Sequence, residues 1–281
     1  MYQVIDSDDY AASGIQTMIF PGGEPHVKID MSKINTEEQG RILLFFKLRS
    51  WLDVGFALLI LDALDRERRD FTMFMPYFPG ARQDKTSPGT AGTLDVILNL
   101  FNCYGTIHVF DPHSDHLGKR GGVHAWMPAD LPLLTAESDV VGVIAPDAGA
   151  MARASAFRDV FYPNMQLYTC TKSRDPATGA LSNYIMPKLN RAGRYVIVDD
   201  ICDGGGTFNL LADEFGKQNN SDKKLSLFVS HGIFSKGLEN IDDTIDRITT
   251  TDSWCMPTKH PYSRRIAIMG LNTLFPKIME D

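Results

Sequence analysis

In the stretch YVIVDDICDGGGT, from Tyr195 to Thr207, the chain passes from an apolar run through paired acids into glycine. Tyr195–Val198 carry the pattern of a short buried strand, and a helical pattern begins at about Phe208. A strand that feeds a helix through Gly204, Gly205 and Gly206 forms a phosphate cradle. Successive N–H groups converge where no Cβ intervenes, and the helix start adds partial positive charge. No Lys follows the glycines, so this is not a Walker loop. Asp199 and Asp200 lie just upstream instead, with Asp203 beside the glycines, as acceptors suited to a diol. Phosphate donors beside diol acceptors describe a ribose 5-phosphate site formed by Asp199, Asp200, Asp203, Gly204, Gly205, Gly206 and Thr207. The competing reading is a plain strand–turn–helix joint with Asp as its N-cap.

The 281 residues suffice for one large domain or two modest ones with full cores. A formal charge of −7 argues against a general nucleic-acid binder, whose affinity rests on clustered Lys and Arg. It also means that anionic ligands must be held by local donors and metal ions. The N-terminal MYQVIDSDDY has neither the basic nor the apolar region of a signal peptide. The densest apolar run, Phe56–Leu61, is bracketed by Asp53 and Asp62, so no membrane span is expected. The four cysteines are scattered without a CxxC pair, which suggests neither zinc nor a disulfide framework and makes a reducing cytoplasm the simplest location. Cys202 reads as a small buried filler rather than a nucleophile.

Strand signals at Ile42–Phe46, Phe71–Met75, Ile107–Phe110, Asp139–Ala145, Met165–Cys170, Leu225–Ser230 and Ile266–Met269 alternate with helical patterns. The helices are expected at Leu52–Arg69, Thr93–Cys103, Phe208–Phe215 and Leu271–Met279. This alternation predicts an α/β fold with mostly parallel sheets and flanking helices. Thr17–Ile29 reads as a hairpin around Pro-Gly-Gly. Arg66, Arg68 and Arg69 read as a solvated last helical turn. Polar groups gather where strands end: Arg82, Gln83, Asp84 and Lys85 after one strand, Asp111-Pro-His113 after another, and Asp147 after a third. Ligands of open α/β sheets sit at such carboxyl ends. Lys172 and Arg174 open a polar, breaker-rich loop of the kind that moves.

Residues 195–207 resemble the phosphoribosyl-diphosphate loop of type I phosphoribosyltransferases and of ribose-phosphate diphosphokinases. Other stretches resemble the diphosphokinases specifically. Pro76–Asp84 is similar to their P-Y-F-x-Y-A-R-Q-D segment, which the transferases lack, and implies ATP contacts from Arg82, Gln83 and Asp84. Phe20 and Glu24 match the F-S/A-D-G-E stretch that helps hold ATP, with Gly22 where the family has an acid. His113 matches the His of D-L-H-x-x-Q, at the metal and triphosphate, while Pro112 and His116 depart from that pattern. Asp147, Gly149, Arg153 and Ala154 match S-P-D-x-G-G-x-x-R-A, whose Asp binds metal or sugar. Lys172 and Arg174 match a K-x-R pair on a flexible catalytic loop, and Ser230–Ser235 resembles T-H-x-x-F-S.

The resemblance implies two phosphoribosyltransferase-like units, 1–129 with the ATP motifs and 130–281 with the sugar loop. The last helix is a candidate to pack back on the first unit. It implies transfer of a diphosphoryl group from ATP to ribose 5-phosphate, catalysed with Lys172, Arg174 and His113. Mg²⁺ would be held by His113, Asp147, Asp199 and Asp200, in a homo-oligomer of two to six chains. Two alternatives share parts of the pattern. A phosphoribosyltransferase would use the same sugar loop. A non-catalytic diphosphokinase-associated subunit would fit Gly22 and the shortened basic segment after Lys85.

Overall fold

A computed structural model describes residues 2–34, 40–131, 137–174, 181–218, 221–254 and 265–280, without the side chains of 172–174 and 181–183. The chain forms two units, Met1–Met127 with Asn272–Asp281, and Pro128–Leu271. In the first, strands β1 (Gln3–Asp6), β4 (Ile42–Phe45), β5 (Phe71–Phe74), β6 (Ile107–Phe110) and β7 (Val123–Trp126) make one parallel sheet in that order. A separate antiparallel hairpin, β2 (Ile15–Ile19) and β3 (Pro25–Ile29), turns around the predicted Pro-Gly-Gly. Among the described residues the α-helices between these strands are α1 (Trp51–Arg66), α2 (Thr93–Asn102) and the single turn α3 (Asp115–Gly118).

Helix α1 starts where it does because Ser50 and Asp53 cap each other. The Ser50 hydroxyl accepts from the Asp53 N–H at 3.2 Å and donates to its carboxylate at 2.9 Å. Val54, Ala57, Ile60, Leu61 and Leu64 form its buried stripe and pack with Ile42, Leu44, Met73 and Ile107 of the sheet. On β4 and β5, Phe45 and Phe74 stack at 5.3 Å and meet the edge of Phe275. Phe275 opens the last helix of the chain, so the C-terminal segment belongs to the first unit's core.

The second unit holds a six-stranded parallel sheet. Its strands in chain order are β8 (Val140–Ala145), β9 (Gln166–Thr169), β12 (Gly193–Cys202), β13 (Lys223–Gly232), β14 (Ile245–Thr251) and β15 (Ile266–Met269). In space they run β15-β14-β13-β12-β8-β9, so the direction of winding reverses between β8 and β12. Helix α4 (Met151–Phe161) covers one face, with Ala154 and Phe157 on Val143, Val196, Val198 and Phe228. Helix α5 (Gly206–Lys217) covers the other, with Phe208, Leu211 and Phe215 on Tyr195, Ile197, Leu227 and Val229. A short antiparallel pair, β10 (Thr171–Arg174) and β11 (Leu181–Ile185), stands apart from this sheet, and α6 (Phe275–Glu280) closes the chain.

Two expectations about the second unit need correction. Thr171–Arg174 form a strand rather than the start of a loop, because their backbone pairs with Leu181–Ile185; residues 175–180 lie outside the described residues. The strand predicted to end at Val198 runs on to Cys202, because Asp199, Ile201 and Cys202 continue the ladder opposite Val229, His231 and Gly232. No helix among the described residues is long and apolar enough to cross a membrane.

One buried cation in the first unit is held by its counter-ions. Lys47 is 6 % exposed, and its ammonium lies 2.8 Å from Asp8 and 3.6 Å from Asp6. Partial burial pushes the Asp8 carboxyl up, but hydrogen bonds and charge from Lys47 and Arg49 outweigh it and hold the group below its usual range. A depressed carboxyl contributes stability above its unfolded value and loses it as pH falls through the folded one. Asp8→Ala is therefore expected to cost about 1–2 kcal/mol near pH 7, after screening at a part-exposed site, and much less near pH 3. Urea unfolding at the two pH values checks this, and an equal loss at both would contradict it.

Candidate active site

The winding reversal between β8 and β12 is the place where an open α/β sheet leaves a crevice at its carboxyl ends. Ile144 pairs with Ile197 across that junction, so Asp147, just past the end of β8, and the Asp199–Asp200 pair, in the last residues of the β12 ladder, lie at the same end of neighbouring strands. Asp200 is 4 % exposed, Asp199 is partly buried, and the Asp200 N–H donates to Asp199 Oδ1 at 2.9 Å. Arg153, from the first turn of α4, approaches Asp200 at 3.8 Å. The Asp147 carboxylate accepts from the Ala150 N–H at 3.0 Å, which braces the turn into α4. In the same region the Tyr184 hydroxyl, on β11, donates to the Pro146 carbonyl at 2.8 Å.

Burial first, and the neighbouring Asp200 charge second, raise the Asp199 carboxyl from its ordinary 3.8 to about 8. Cys202 is fully buried, and burial followed by the charges of Asp199 and Asp203 lifts its thiol to about 12. It is a packed thiol and no nucleophile.

Helix α5 begins directly after this strand. Its N-cap, Gly205, sits at φ +79° and offers no side-chain cap. The first-turn N–H groups are thus left for water or an anion. The positive φ of Gly205 favours glycine, and a Cβ there would stand 2.4 Å from Ile241 Cδ1, which would have to move. Nothing lies within 4 Å of the corresponding position at Gly206, which leaves the loop's approach open.

In the first unit, Phe20 is 46 % exposed at the hairpin tip, where its N–H donates to the Glu24 carbonyl at 2.9 Å. Glu24 is also exposed. The Pro76–Asp84 segment anchors itself by burying Tyr77 and Phe78, and turns at Gly80, whose carbonyl accepts from the Gln83 N–H at 2.8 Å. Arg82 and Gln83 are exposed beyond that anchor, and Asp84 is half-buried. After β6 the buried Asp111 adopts φ +40°, a strained conformation, and His113 follows it exposed. His116 joins Asp95 and Arg120 in a surface cluster.

The residues expected to bind metal divide accordingly. His113 belongs to the first unit, and Asp147, Asp199 and Asp200 to the second. Among the described residues no group of three or more His, Cys, Asp or Glu is arranged to hold a metal ion. The adjacent Asp199 and Asp200 still offer hard oxygen donors. That fits Mg²⁺, which commonly takes one or two carboxylates and completes its shell with substrate oxygens and water. Lys172 and Arg174 ride on β10, opposite Tyr184 and Leu181, and their side chains lie outside the described residues.

Because Asp199 holds its proton more firmly when folded than unfolded, its contribution to stability falls as pH rises between about 4 and 8. Asp199→Asn removes that cost. Without ligand it is expected to melt above wild type at pH 8, with the gain vanishing near pH 4. A variant melting no higher at pH 8 would contradict the assignment.

No family model matches the chain. The ribose-phosphate pyrophosphokinase of Sulfurisphaera tokodaii is 28% identical over 251 residues, covering 85% of this chain and 84% of that one. The protein of the same name from Maricaulis maris is 28% identical over 270 residues, covering 90% and 84%. The crystal structure of phosphoribosylpyrophosphate synthetase from Mycobacterium smegmatis superposes with a TM-score of 0.75 over 99% of this chain and 97% of that one, at 18% identity.

Proposed function

We infer that this chain, which belongs to the ribose-phosphate pyrophosphokinase family, transfers the β,γ-diphosphoryl group of ATP to the C1 hydroxyl of ribose 5-phosphate. The products are 5-phosphoribosyl 1-diphosphate and AMP. The observation that carries this reading is the strand end at the sheet's winding reversal, where paired acids precede an uncapped, glycine-started helix.

The residues divide by chemistry. Gly204–Thr207 offer backbone donors to the 5-phosphate, and Asp203 stands at the mouth of that loop. Asp199 and Asp200 accept from the ribose hydroxyls, and Asp147 faces the same ligand from the next strand. Phe20, Glu24, Arg82, Gln83 and Asp84 hold the nucleotide in the first unit, with His113 toward its phosphates. The C1 oxygen attacks the β-phosphorus. The bond from that phosphorus to the α,β-bridging oxygen breaks, AMP leaves with this oxygen, and the hydroxyl proton passes to solvent.

Such phosphoryl chemistry depends mainly on positioning and charge neutralisation. Lys172 and Arg174 supply positive charge to the transferring group. Bound Mg²⁺, held by Asp199 and Asp200 with Asp147 and His113 as further candidates, would neutralise phosphate charge. A homo-oligomer in a reducing cytoplasm is the setting that the resemblance and the free cysteines favour.

Incubation with ATP, ribose 5-phosphate and Mg²⁺ tests the reaction directly. AMP is expected, and only when the sugar phosphate is present. ADP would mean transfer of a single phosphoryl group and overturn the reading. Lys172→Ala is expected to lower turnover by about 10²–10³ with little change in ATP or sugar affinity. Turnover near wild type would remove Lys172 from the mechanism.

A further inference from the structure

The glycine loop before α5 has no cation of its own, and the charged residues leading into it, Asp199, Asp200 and Asp203, are all acids. A dianionic phosphate seated there needs positive charge from another segment. Residues 233–241 form a wall beside the loop. The Ser235 N–H donates to the Asp203 carbonyl at 3.2 Å, Asn240 Nδ2 donates to the Gly204 carbonyl at 2.7 Å, and Ile241 fills the space beside Gly205.

Between these anchors the methylene stem of Lys236 lies over Gly204. A Cβ at Gly204 would stand 3.3 Å from Lys236 Cε and 3.4 Å from Cδ, so the absence of a side chain lets stem and loop approach. The turn delivering Lys236 is strained. Phe234 sits at φ +47°, in the left-handed region that bulky side chains avoid. Three bonds hold it there: the N–H groups of Ile233 and Phe234 donate to the Cys202 carbonyl, and Gly237 N–H donates to the Phe234 carbonyl. Strain persists where the surroundings over-determine it, commonly at ligand sites. Arg153, another cation near these acids, already faces Asp200. Lys236 has no ion pair among the described residues.

We propose that Lys236 is a phosphate-binding residue whose ammonium closes over the loop onto the monoester phosphate of the sugar. The connection from β13 to β14 thereby supplies the cation that a Walker loop carries in its own sequence. The proposal rests on the sugar-phosphate reading of residues 203–207 given above.

Calorimetric titration with ribose 5-phosphate, unphosphorylated ribose and inorganic phosphate tests it, on wild type, Lys236→Met, Lys236→Arg, Thr207→Ala and the remote control Lys217→Met. Lys236→Met keeps an apolar stem and removes the charge. It is expected to weaken ribose 5-phosphate binding about 10- to 100-fold, the effect of losing a charge-assisted phosphate contact. Lys236→Arg should recover most of the affinity, Lys217→Met should match wild type, and any weak ribose binding should be unaffected. In turnover the same loss should fall on KM for ribose 5-phosphate and not on KM for ATP. Melting curves for each variant confirm folding.

If Lys236→Met binds within twofold of wild type, the proposal fails and the loop reading stands. If wild type does not bind the sugar phosphate, the loop reading fails and takes the proposal with it. A loss confined to inorganic phosphate would assign Lys236 to a free-phosphate site and overturn its role toward the sugar.

Discussion

Two carboxylates on consecutive residues of one buried strand end set the terms for the second unit. Asp199 and Asp200 extend a ladder whose earlier residues, Tyr195 to Val198, are core. Burial and mutual repulsion make the ionised pair costly, as the raised Asp199 carboxyl records. Arg153 stands 3.8 Å away and compensates Asp200 in part. A fold seeking stability alone would place apolar groups at such positions. Perturbed acids in a crevice are better explained by what they will hold: a cation and hydroxyl donors suit a pair of adjacent carboxylates.

The surrounding architecture presents these acids. The reversal of winding between β8 and β12 puts helices on opposite faces of the sheet and opens its carboxyl edge. The same edge receives Asp147, braced by Ala150, and the start of α5, whose glycine N-cap leaves its first N–H groups available. The first unit solves a simpler problem. Its strands follow one another in chain order, and the residues proposed to hold the nucleotide, Arg82 to Asp84 and His113, follow β5 and β6. The tyrosine and phenylalanine of the Pro76–Asp84 segment are buried, which fixes the loop while Arg82 and Gln83 remain exposed.

Much of this was legible because it is local. The hairpin turn at Pro21-Gly22-Gly23, the apolar spacing of α1 and α2, and the acid-then-glycine stretch are all written in neighbouring residues. What escaped depends on partners distant in sequence. The length of β12 could not be read from its own residues, because Asp and Cys are poor strand signals and the pairing strand, β13, keeps the ladder going. Thr171–Arg174 looked like a loop for the same reason: only Leu181–Ile185 makes it a strand. β1 and β7 have four residues each, and β14 is rich in threonine and charge, so none shows a strong period. The place of Lys236 over Gly204 depends on a turn held by the carbonyl of Cys202, which no spacing rule reveals.

The most direct measurement is a crystal structure of the protein grown with ribose 5-phosphate. The phosphate is expected against the backbone N–H groups of Gly204–Thr207, with the ribose hydroxyls on Asp199 and Asp200. Sugar phosphate bound elsewhere, with that loop holding only water, would contradict the central claim.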